Sequence, residues 1–526
     1  MPRPWQIAAF VCLLMPSAWL AWTHRDVPHL GPLHDDSLYY VGAKSIAERG
    51  EYRILSLPGE PYQTKYPPLY PAYLALAWKL EPQFPRNLPW AMLLQWLWMP
   101  ALLALVWRGV RLEGKLQWAL LAMLACAPYV NFFGIHLMTE TMAASLALAA
   151  CLAASRAPWA SGLLSGAAFL AKTACFPLLA VMPLTYALQK KWRDAAIFLA
   201  TGLPAFLGWT WWSGTHRLVT GDPALLYYTN YAAIYLRDLN AVGLPVIVWK
   251  NISTFLVSTG QCMVFTLADN GLTLNLARSL GLLAVVGTVR LIKRQGWRQP
   301  YFLFAALYTL QLLAWNYPPD PRFVLPIVPL LMAGFLTELA ALAAIFQKAW
   351  HSRKKDERIF ARVAAPALAC AGLAAIAANL HGAFSHLPAE LASHRARVAQ
   401  AQAAYTWIRR QAPPDARFYS NFDPVLYLQT GRPAMRLPMP AAYAYVEDRP
   451  AIQKLAYDVT GFAAQRHLDF VFLSKREPQS LLTDEERDQL WRHNAAAAIF
   501  RHGDIAIARV GGGHPAGQRA ALTPGR

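Results

Sequence analysis

The sequence predicts an all-α polytopic membrane domain of about eleven transmembrane helices plus interfacial helices, followed by a small C-terminal α/β domain outside the membrane. Hydrophobic residues make up 56% of the 526 residues and charged residues only 15%, which is too apolar for a soluble chain of this length. The apolar residues cluster in runs of about 15 to 22, the length at which an α-helix crosses hydrocarbon. Beyond residue 380 these runs shorten to strand length.

The predicted spans follow one another along the first 380 residues. The first run ends in Trp-Leu-Ala-Trp without a clear small-residue cleavage site, so we interpret it as a retained helix and not as a signal peptide. The predicted spans are 5–22, 90–107, 116–133, 138–154, 159–171, 174–188, 195–212, 273–289, 300–316, 323–346 and 362–380.

Basic residues cluster in alternate loops of this arrangement, at 108–115, 156, 190–193, 290–298 and 348–362. By the positive-inside rule these loops are cytoplasmic, which makes the N-terminus cytoplasmic and the C-terminal domain extracytoplasmic. The same clusters explain the net charge of +19, so we expect a membrane partner and no nucleic acid. The two arms at 159–188 have basic residues on both flanks, which predicts a hairpin with Lys172 at its outer turn.

We therefore expect two domains. Residues 1–380 form the membrane domain, with a long first outer loop at 23–89, and residues 381–526 form the extracytoplasmic α/β domain. Within the second domain, the pattern is typical of strands at 467–474 and 505–510 and of helices at 395–411 and 483–493.

The first outer loop carries an unusual acidic pair. Directly after the first span the chain reads HDDSLYY (34–40), with Asp35 and Asp36 side by side. Residues 37–49 predict an amphipathic helix that ends at Gly50. The stretch QTKYPPLYPAYLALAWKL (63–80) then places two prolines after Lys65 and Tyr66, followed by an apolar helix too short to span the membrane.

These features resemble the first loop of the GT-C superfamily of membrane glycosyltransferases, and most closely the clan of aminoarabinose transferases and protein O-mannosyltransferases. Three further stretches are similar to motifs of that clan, in the same order along the chain. They are GAAFLAKTACFPLL (166–179), PPDPRFVLPIVPLL (318–331) and NFDPVLYLQTGRPA (421–434). Many members have Glu where this chain has Asp36, which leaves open which acid of the pair does the chemistry.

The resemblance implies a GT-C-like, inverting glycosyltransferase that moves a sugar from a polyprenyl-phosphate donor to an acceptor hydroxyl. Either Asp35 or Asp36 would be the general base, and Asp35 is favoured because the family places it first. The alternative is that the pair caps the following helix. The acceptor could be lipid A, a surface glycan or protein, and the chain would lie in a bacterial inner membrane with its outer domain periplasmic.

Three cations are candidates for contact with the donor phosphate. Lys65, Arg322 and Lys172 all fall at predicted outer ends of membrane elements, where a fixed positive charge would stabilise the leaving polyprenyl phosphate. Lys65 could instead be a snorkelling surface lysine, and Lys172 an interfacial anchor.

Glu140 and His136 form a second candidate region. Glu140 begins a predicted span on the outer face, and its position resembles an acid near the acceptor or a divalent cation in the family. His136 would share a helical face with Glu140 if that helix began early enough. Helix capping is the alternative for Glu140. The resemblance allows a divalent cation at this region and implies no other cofactor.

Other classes of protein remain open from sequence alone. A transporter or flippase for a lipid-linked or anionic substrate would need several ionisable residues within its spans and related halves. Arg278 and Glu338 are the main such residues. An assembly protein would leave the acidic pair and the three cations without a role.

Overall fold

The computed structural model describes residues 4–26, 30–266, 270–475, 482–495 and 497–511. The membrane half of this part is built of helices. They are α1 (Pro4–Thr23), α2 (Asp35–Arg49), α3 (Leu69–Leu80), α4 (Leu88–Trp96), α5 (Trp98–Gly109), α6 (Lys115–Cys126), α7 (Pro128–Ile135), α8 (Glu140–Ala153), α9 (Pro158–Ala171), α10 (Pro177–Leu188), α11 (Trp192–Thr215), α12 (Pro223–Thr229), α13 (Tyr231–Val242), α14 (Leu244–Met263), α15 (Gly271–Gln295), α16 (Pro300–Ala314), α17 (Pro321–Val324), α18 (Val328–Trp350) and α19 (Lys355–His381).

Six helical segments of the described chain are long and apolar enough to cross a membrane, judged by length and composition. They are Pro4–Thr23, Leu88–Gly109, Trp192–Thr215, Gly271–Gln295, Pro321–Trp350 and Lys355–Gln411. Two bent pairs raise the number to eight if each is one span: α6 with α7, bent by 56°, and α13 with α14, bent by 99°. Each predicted span coincides with one of these segments or with a shorter apolar helix, and the span at 116–133 is broken before Pro128.

Helix α14 lies outside all of the predicted spans. Polar residues interrupt its apolar pattern at Lys250, Asn251 and 258–261. The structure uses Asn251, whose amide donates hydrogen bonds to the carbonyl oxygens of Leu313 (3.1 Å) and Trp315 (2.7 Å) at the end of α16. At its other end, the carbonyl of Met263 accepts a bond from Asn379 near the end of α19. In the predicted topology both contacts lie on the outer side, and that topology counts α14 as no additional crossing.

Close packing of helices α15 and α18 depends on glycine. A Cβ on Gly287 would lie 2.0 Å from the carbonyl oxygen of Gly334, and one on Gly334 would lie 2.1 Å from the hydroxyl of Thr288. Small residues that let two backbones approach are the usual basis of helix association in membranes. The predicted hairpin is also present, with α9 and α10 joined through Lys172 and a short 3₁₀ turn (Thr173–Cys175).

Helix α2 is not the amphipathic surface helix that the sequence suggested. Residues 36–43 are all buried, and only Glu48 and Arg49 at its end are exposed. The helix packs against α3, where Tyr39 meets Tyr70 edge to face and Tyr40 lies 5.0 Å from the ring of Trp78. This burial holds the acidic pair at the start of α2 in a defined position.

The C-terminal domain, termed the outer domain because the sequence predicts that it lies outside the membrane, is a small α/β unit, as predicted. Its sheet has the order β2-β1-β3-β5-β4, with β1 parallel to β2 and β3, and β5 antiparallel to β3 and β4. The strands are β1 (Phe418–Tyr419), β2 (Ala434–Met435), β3 (Phe470–Ser474), β4 (Ala498–His502) and β5 (Ile505–Arg509), and the helices are α20 (Leu387–Gln411), α21 (Asp423–Thr430), α22 (Tyr443–Val446), α23 (Arg449–Tyr457), α24 (Val459–Gln465) and α25 (Asp484–Ala495).

A continuous helical segment connects the two halves of the chain. Helix α19 passes through a π-helical turn at Gly382–His386 directly into α20. Tyr405 and Ile408 of α20 then enter the core of the sheet beside Phe418 and Phe472. The outer domain is therefore attached through a helix and not through a loop.

Candidate active site

A cavity of about 510 Å³ lies where the first outer loop, the α9–α10 turn, α13 and α17 meet. Its charged lining consists of four cations and two carboxylates. They are Lys65, Lys172, Arg217, Arg322, Asp35 and Glu140. Five of the seven residues that the sequence singled out thus line one cavity, although they come from four separate segments of the chain.

Asp35 lies at the wall of this cavity with its side chain 14% exposed. One carboxylate oxygen accepts a hydrogen bond from the Tyr66 hydroxyl at 2.5 Å, and the other accepts one from Arg322 Nη1 at 3.1 Å. Burial favours the neutral acid, but Arg322, Lys65 and the Tyr66 bond outweigh it and lower the pKa of Asp35 below its usual value. Asp35 is therefore an ionised carboxylate that faces the cavity.

Asp36 has a different environment although it is the next residue. Its side chain is fully buried and accepts three backbone hydrogen bonds, from the amides of Gly31 (2.9 Å), Leu33 (3.2 Å) and Ser37 (2.5 Å). Burial raises the pKa of Asp36 to about 6, although the hydrogen bonds from the three amides act to lower it. Asp36 therefore fastens the loop before α2. It is not the N-cap considered from the sequence, because the N-cap residue of α2 is His34, which makes no side-chain cap hydrogen bond.

Lys65 is buried in a cage of tyrosines. Its ammonium lies 4.0 Å from the ring centroid of Tyr227, 4.7 Å from Tyr231 and 4.9 Å from Tyr66, and the residue is only 4% exposed. Desolvation lowers the pKa of Lys65 to about 8, although Asp35 acts to raise it. A buried ammonium at a cavity wall is not the snorkelling lysine considered from the sequence.

Arg322 is held in place by the start of α17. Asp320 accepts the backbone N–H of Arg322 at 3.0 Å and also lies 3.5 Å from its guanidinium. The guanidinium packs over Phe323 at 4.4 Å and reaches Asp35. Proline at position 321 starts the short helix, so the Asp-Pro-Arg sequence itself positions the cation.

Lys172 and Glu140 form a buried ion pair. Lys172 Nζ lies 2.7 Å from Glu140 Oε1, with the side chains 12% and 1% exposed. The second oxygen of Glu140 is buried without a hydrogen-bond partner among the described residues. The Lys172 ammonium also lies 5.2 Å from the ring of Phe323, so Lys172 and Arg322 approach the same ring from different elements.

His136 does not join the cavity, contrary to expectation. Helix α8 begins at Glu140, while His136 lies just beyond the end of α7, so the two side chains do not share a helical face. The His136 ring stacks on Phe132 at 3.6 Å, and its Nδ1 is 2.9 Å from the Phe132 carbonyl oxygen. Within the described ranges no group of three or more His, Cys, Asp or Glu side chains could hold a metal ion. The residues therefore do not fit the divalent cation considered from the sequence.

The cavity also has lining residues on α12, α13 and the preceding loop that were not predicted from the sequence. Arg217 follows α11, and Tyr227 and Tyr231 complete the cage around Lys65. The tyrosine-rich stretch LLYYTNYAAIYL (225–236) could have indicated an aromatic cavity lining. It carried no information about which tyrosines face inward, because that depends on how the two short helices dock.

The architecture built by these elements is similar to the GT-C fold that the resemblance of the motifs predicted. The chain is similar to ArnT from Cupriavidus metallidurans, solved bound to undecaprenyl phosphate, with a TM-score of 0.54 and 13% identity over 97% of this chain and 98% of that one. The same protein in the apo state gives a TM-score of 0.50 and 12% identity over 96% and 98%. No family model and no curated protein matches the chain. At this identity the likeness establishes the fold alone.

Proposed function

We propose that the chain is an inverting membrane glycosyltransferase that transfers a sugar from a polyprenyl-phosphate donor to an acceptor hydroxyl. The observation that carries the proposal is the arrangement around Asp35. An ionised carboxylate, a caged ammonium and a guanidinium converge on one cavity at the edge of a membrane domain with the GT-C fold.

The donor phosphate would bind between Lys65 and Arg322. The four cations of the cavity exceed its two carboxylates, so the site lacks negative charge that a phosphate would supply. Lys172 is already neutralised by Glu140 at 2.7 Å, which leaves Lys65, Arg322 and Arg217 as the better phosphate ligands. The undecaprenyl phosphate in the ArnT crystal structure supports a lipid-linked donor.

The transfer itself would be a single displacement. The acceptor oxygen forms a bond to the anomeric carbon, the bond from that carbon to the phosphate oxygen breaks, and Asp35 accepts the proton of the acceptor hydroxyl. Polyprenyl phosphate leaves with the electron pair, and its negative charge is stabilised by Lys65 and Arg322. One displacement inverts the configuration at the anomeric carbon.

Phosphate binding would also change the basicity of Asp35. In the free protein Arg322 holds the pKa of Asp35 low, which makes Asp35 a weak base. A phosphate that binds Arg322 adds a negative charge near Asp35 and competes for the guanidinium, and both effects raise the pKa of Asp35. The base would thus be activated when the donor is present.

We further propose a bacterial inner membrane location, with a cytoplasmic N-terminus and with the cavity and residues 381–526 on the periplasmic side. The acceptor would be lipid A, a surface glycan or protein. An open cavity at the outer end of the membrane helices suits a donor that stays in the bilayer and an acceptor that approaches from outside.

The decisive experiment measures transfer of labelled sugar from a panel of polyprenyl-phosphate monosaccharides by full-length protein in membranes. We expect Asp35→Asn to lower transfer by about 10²- to 10⁴-fold, because it removes the negative charge of the carboxylate that lines the cavity and contacts Arg322. Glu48→Gln, at the exposed end of the same helix, is the matched control and should keep transfer within about twofold.

Two results would count against the proposal. Unchanged transfer in Asp35→Asn would remove the base assignment. Absence of turnover of every lipid-linked donor by the wild type would remove the glycosyltransferase itself and favour a transporter.

A further inference from the structure

The residue before the acidic pair contacts the outer domain. His34 Nε2 lies 2.8 Å from Asp423 Oδ1, across 389 positions of sequence, and both side chains are almost fully buried. The other oxygen of Asp423 accepts a hydrogen bond from the Tyr228 hydroxyl at 2.9 Å. On the far side of the ring, His34 Nδ1 lies 3.2 Å from the Tyr227 hydroxyl.

These partners define the form of the histidine. A carboxylate only accepts, so Nε2 carries the proton and donates to Asp423, and Nδ1 accepts from Tyr227. Burial lowers the pKa of His34 even though Asp423 acts to raise it, which keeps the ring neutral near pH 7. Both ring nitrogens of His34 are then hydrogen-bonded, and these two bonds fix the orientation of the ring.

The backbone at His34 requires such a restraint. Its φ is +62°, in the left-handed region that a non-glycine residue seldom adopts. The Ser37 hydroxyl donates to the carbonyl oxygen of His34 at 2.8 Å. Upstream, Gly31 lies so close to the outer domain that a Cβ would be 3.0 Å from Phe422 and 3.3 Å from Val425. The loop that leads into α2 is therefore pressed against the start of α21.

The same cluster reaches the phosphate side of the cavity. Tyr227, which donates to His34, is the ring closest to the Lys65 ammonium, at 4.0 Å. The hydroxyl of Tyr228 accepts the backbone N–H of Arg436 from the outer domain at 3.1 Å. Asp423 thus holds His34, next to Asp35 in the chain, and through Tyr228 it also holds α12, which carries the Tyr227 ring of the Lys65 cage.

We infer that Asp423 and His34 are positioning residues, through which the outer domain sets the location of Asp35 relative to Lys65. This inference rests on the proposed function for its kinetic consequences. It assigns the outer domain a part in catalysis, without contact to substrate. Displacing a catalytic group by about 1 Å can cost about 10²-fold in rate, so this contact would be felt mainly in kcat.

The test compares full-length Asp423→Ala, Asp423→Asn and His34→Asn with the wild type, each normalised to folded protein by size-exclusion chromatography. Asparagine is used at position 34 because it tolerates positive φ. We expect Asp423→Ala to lower kcat about 10- to 100-fold with KM for the lipid-linked donor changed less than about threefold. Asp423→Asn keeps one acceptor oxygen and should recover most of the loss.

The double variant His34→Asn/Asp423→Ala should be no slower than the worse single variant, because the two side chains act as one unit. Lys250→Gln is the control, since it breaks a different contact between the halves, the exposed ion pair with Glu447 at 3.2 Å, and should leave kcat within about twofold. Unchanged kcat in Asp423→Ala, a loss confined to KM, or fully additive losses would each overturn the inference.

A second readout separates this inference from the proposed function. Amide hydrogen exchange of residues 30–38 needs no turnover, and it should become at least about tenfold faster in Asp423→Ala than in the wild type. Unchanged exchange would overturn the positioning role even if the wild type transfers sugar. Faster exchange in a protein that transfers no sugar would support the coupling and remove only the glycosyltransferase assignment.

Discussion

Replacing Arg322 by glutamine should disable donor binding and leave Asp35 with a single hydrogen-bond partner, Tyr66. The guanidinium is 3.1 Å from the Asp35 carboxylate, and the two side chains are 17% and 14% exposed. At an effective dielectric constant of about 20, this attraction is about 5 kcal/mol before desolvation is subtracted. In the Arg322→Gln variant, the donor phosphate would likewise lose its ionic interaction with the guanidinium.

Desolvation of the arginine offsets part of that energy, and each 1.4 kcal/mol corresponds to about tenfold in rate. We therefore expect Arg322→Gln to lower kcat/KM by about 10²- to 10³-fold, the range typical of removing one charge-stabilising donor. Arg322→Lys should recover only part of this, because lysine keeps the charge but cannot reach Asp35 and the phosphate with one planar group.

The pH dependence provides an independent check. Asp35 must be ionised to act as a base, and Arg322 lowers its pKa in the free protein, so transfer falls only as the pH drops through that lowered value. Without Arg322 the pKa of Asp35 rises, and the acid limb of kcat/KM moves to higher pH. Arg49→Gln, which removes an exposed partner of Glu60, is the control. The reasoning would be refuted if kcat/KM of Arg322→Gln stayed within threefold of the wild-type value. It would also be refuted if the acid limb of the kcat/KM pH profile did not shift.

Three further predictions concern the other charges of the site. The pKa of Lys65 is lowered to about 8, so kcat/KM should fall as the pH rises through that value, and Lys65→Gln should abolish this alkaline limb in steady-state kinetics. Asp36→Asn places an amide N–H₂ against backbone donors and should cost about 1 to 3 kcal/mol of stability, visible in thermal unfolding; an unchanged melting temperature would contradict the fastening role. Glu140→Gln leaves Lys172 buried without its carboxylate and should cost about 3 to 5 kcal/mol, and a double variant with Lys172→Met should recover part of it.

Several features of this protein followed from local sequence. The apolar runs identified the helices because each side chain contributes its own free energy of transfer into hydrocarbon. Summing these free energies along the chain therefore locates a span. The Lys172 turn followed from basic residues on both flanks of one hairpin. One exception was α14, whose Asn251 bonds groups distant in sequence, namely the carbonyl oxygens of Leu313 and Trp315 and the hydroxyl of Tyr445.

The candidate site could be located from sequence but not resolved. The motifs around Asp35, Lys65, Lys172 and Arg322 suggested a common role, and all four side chains line one cavity. The sequence did not predict which charged side chains form ion pairs, because the partners come from distant segments that only the tertiary fold brings together. Lys172 was expected at the donor phosphate, and it lies against Glu140.

By itself, the sequence determined a helical membrane protein with a small C-terminal α/β domain and an acidic pair after its first apolar helix. Only the tertiary structure decided which acid faces the cavity. Adjacent residues on a helix point about 100° apart, so Asp35 and Asp36 must meet different surroundings. The loop before α2 turns its amides toward Asp36, Arg322 and Tyr66 reach Asp35, and His34 reaches Asp423 across the whole chain. The contacts of Asp36 are local, but those of Asp35 and His34 depend on elements far apart in sequence, and no local pattern encodes them.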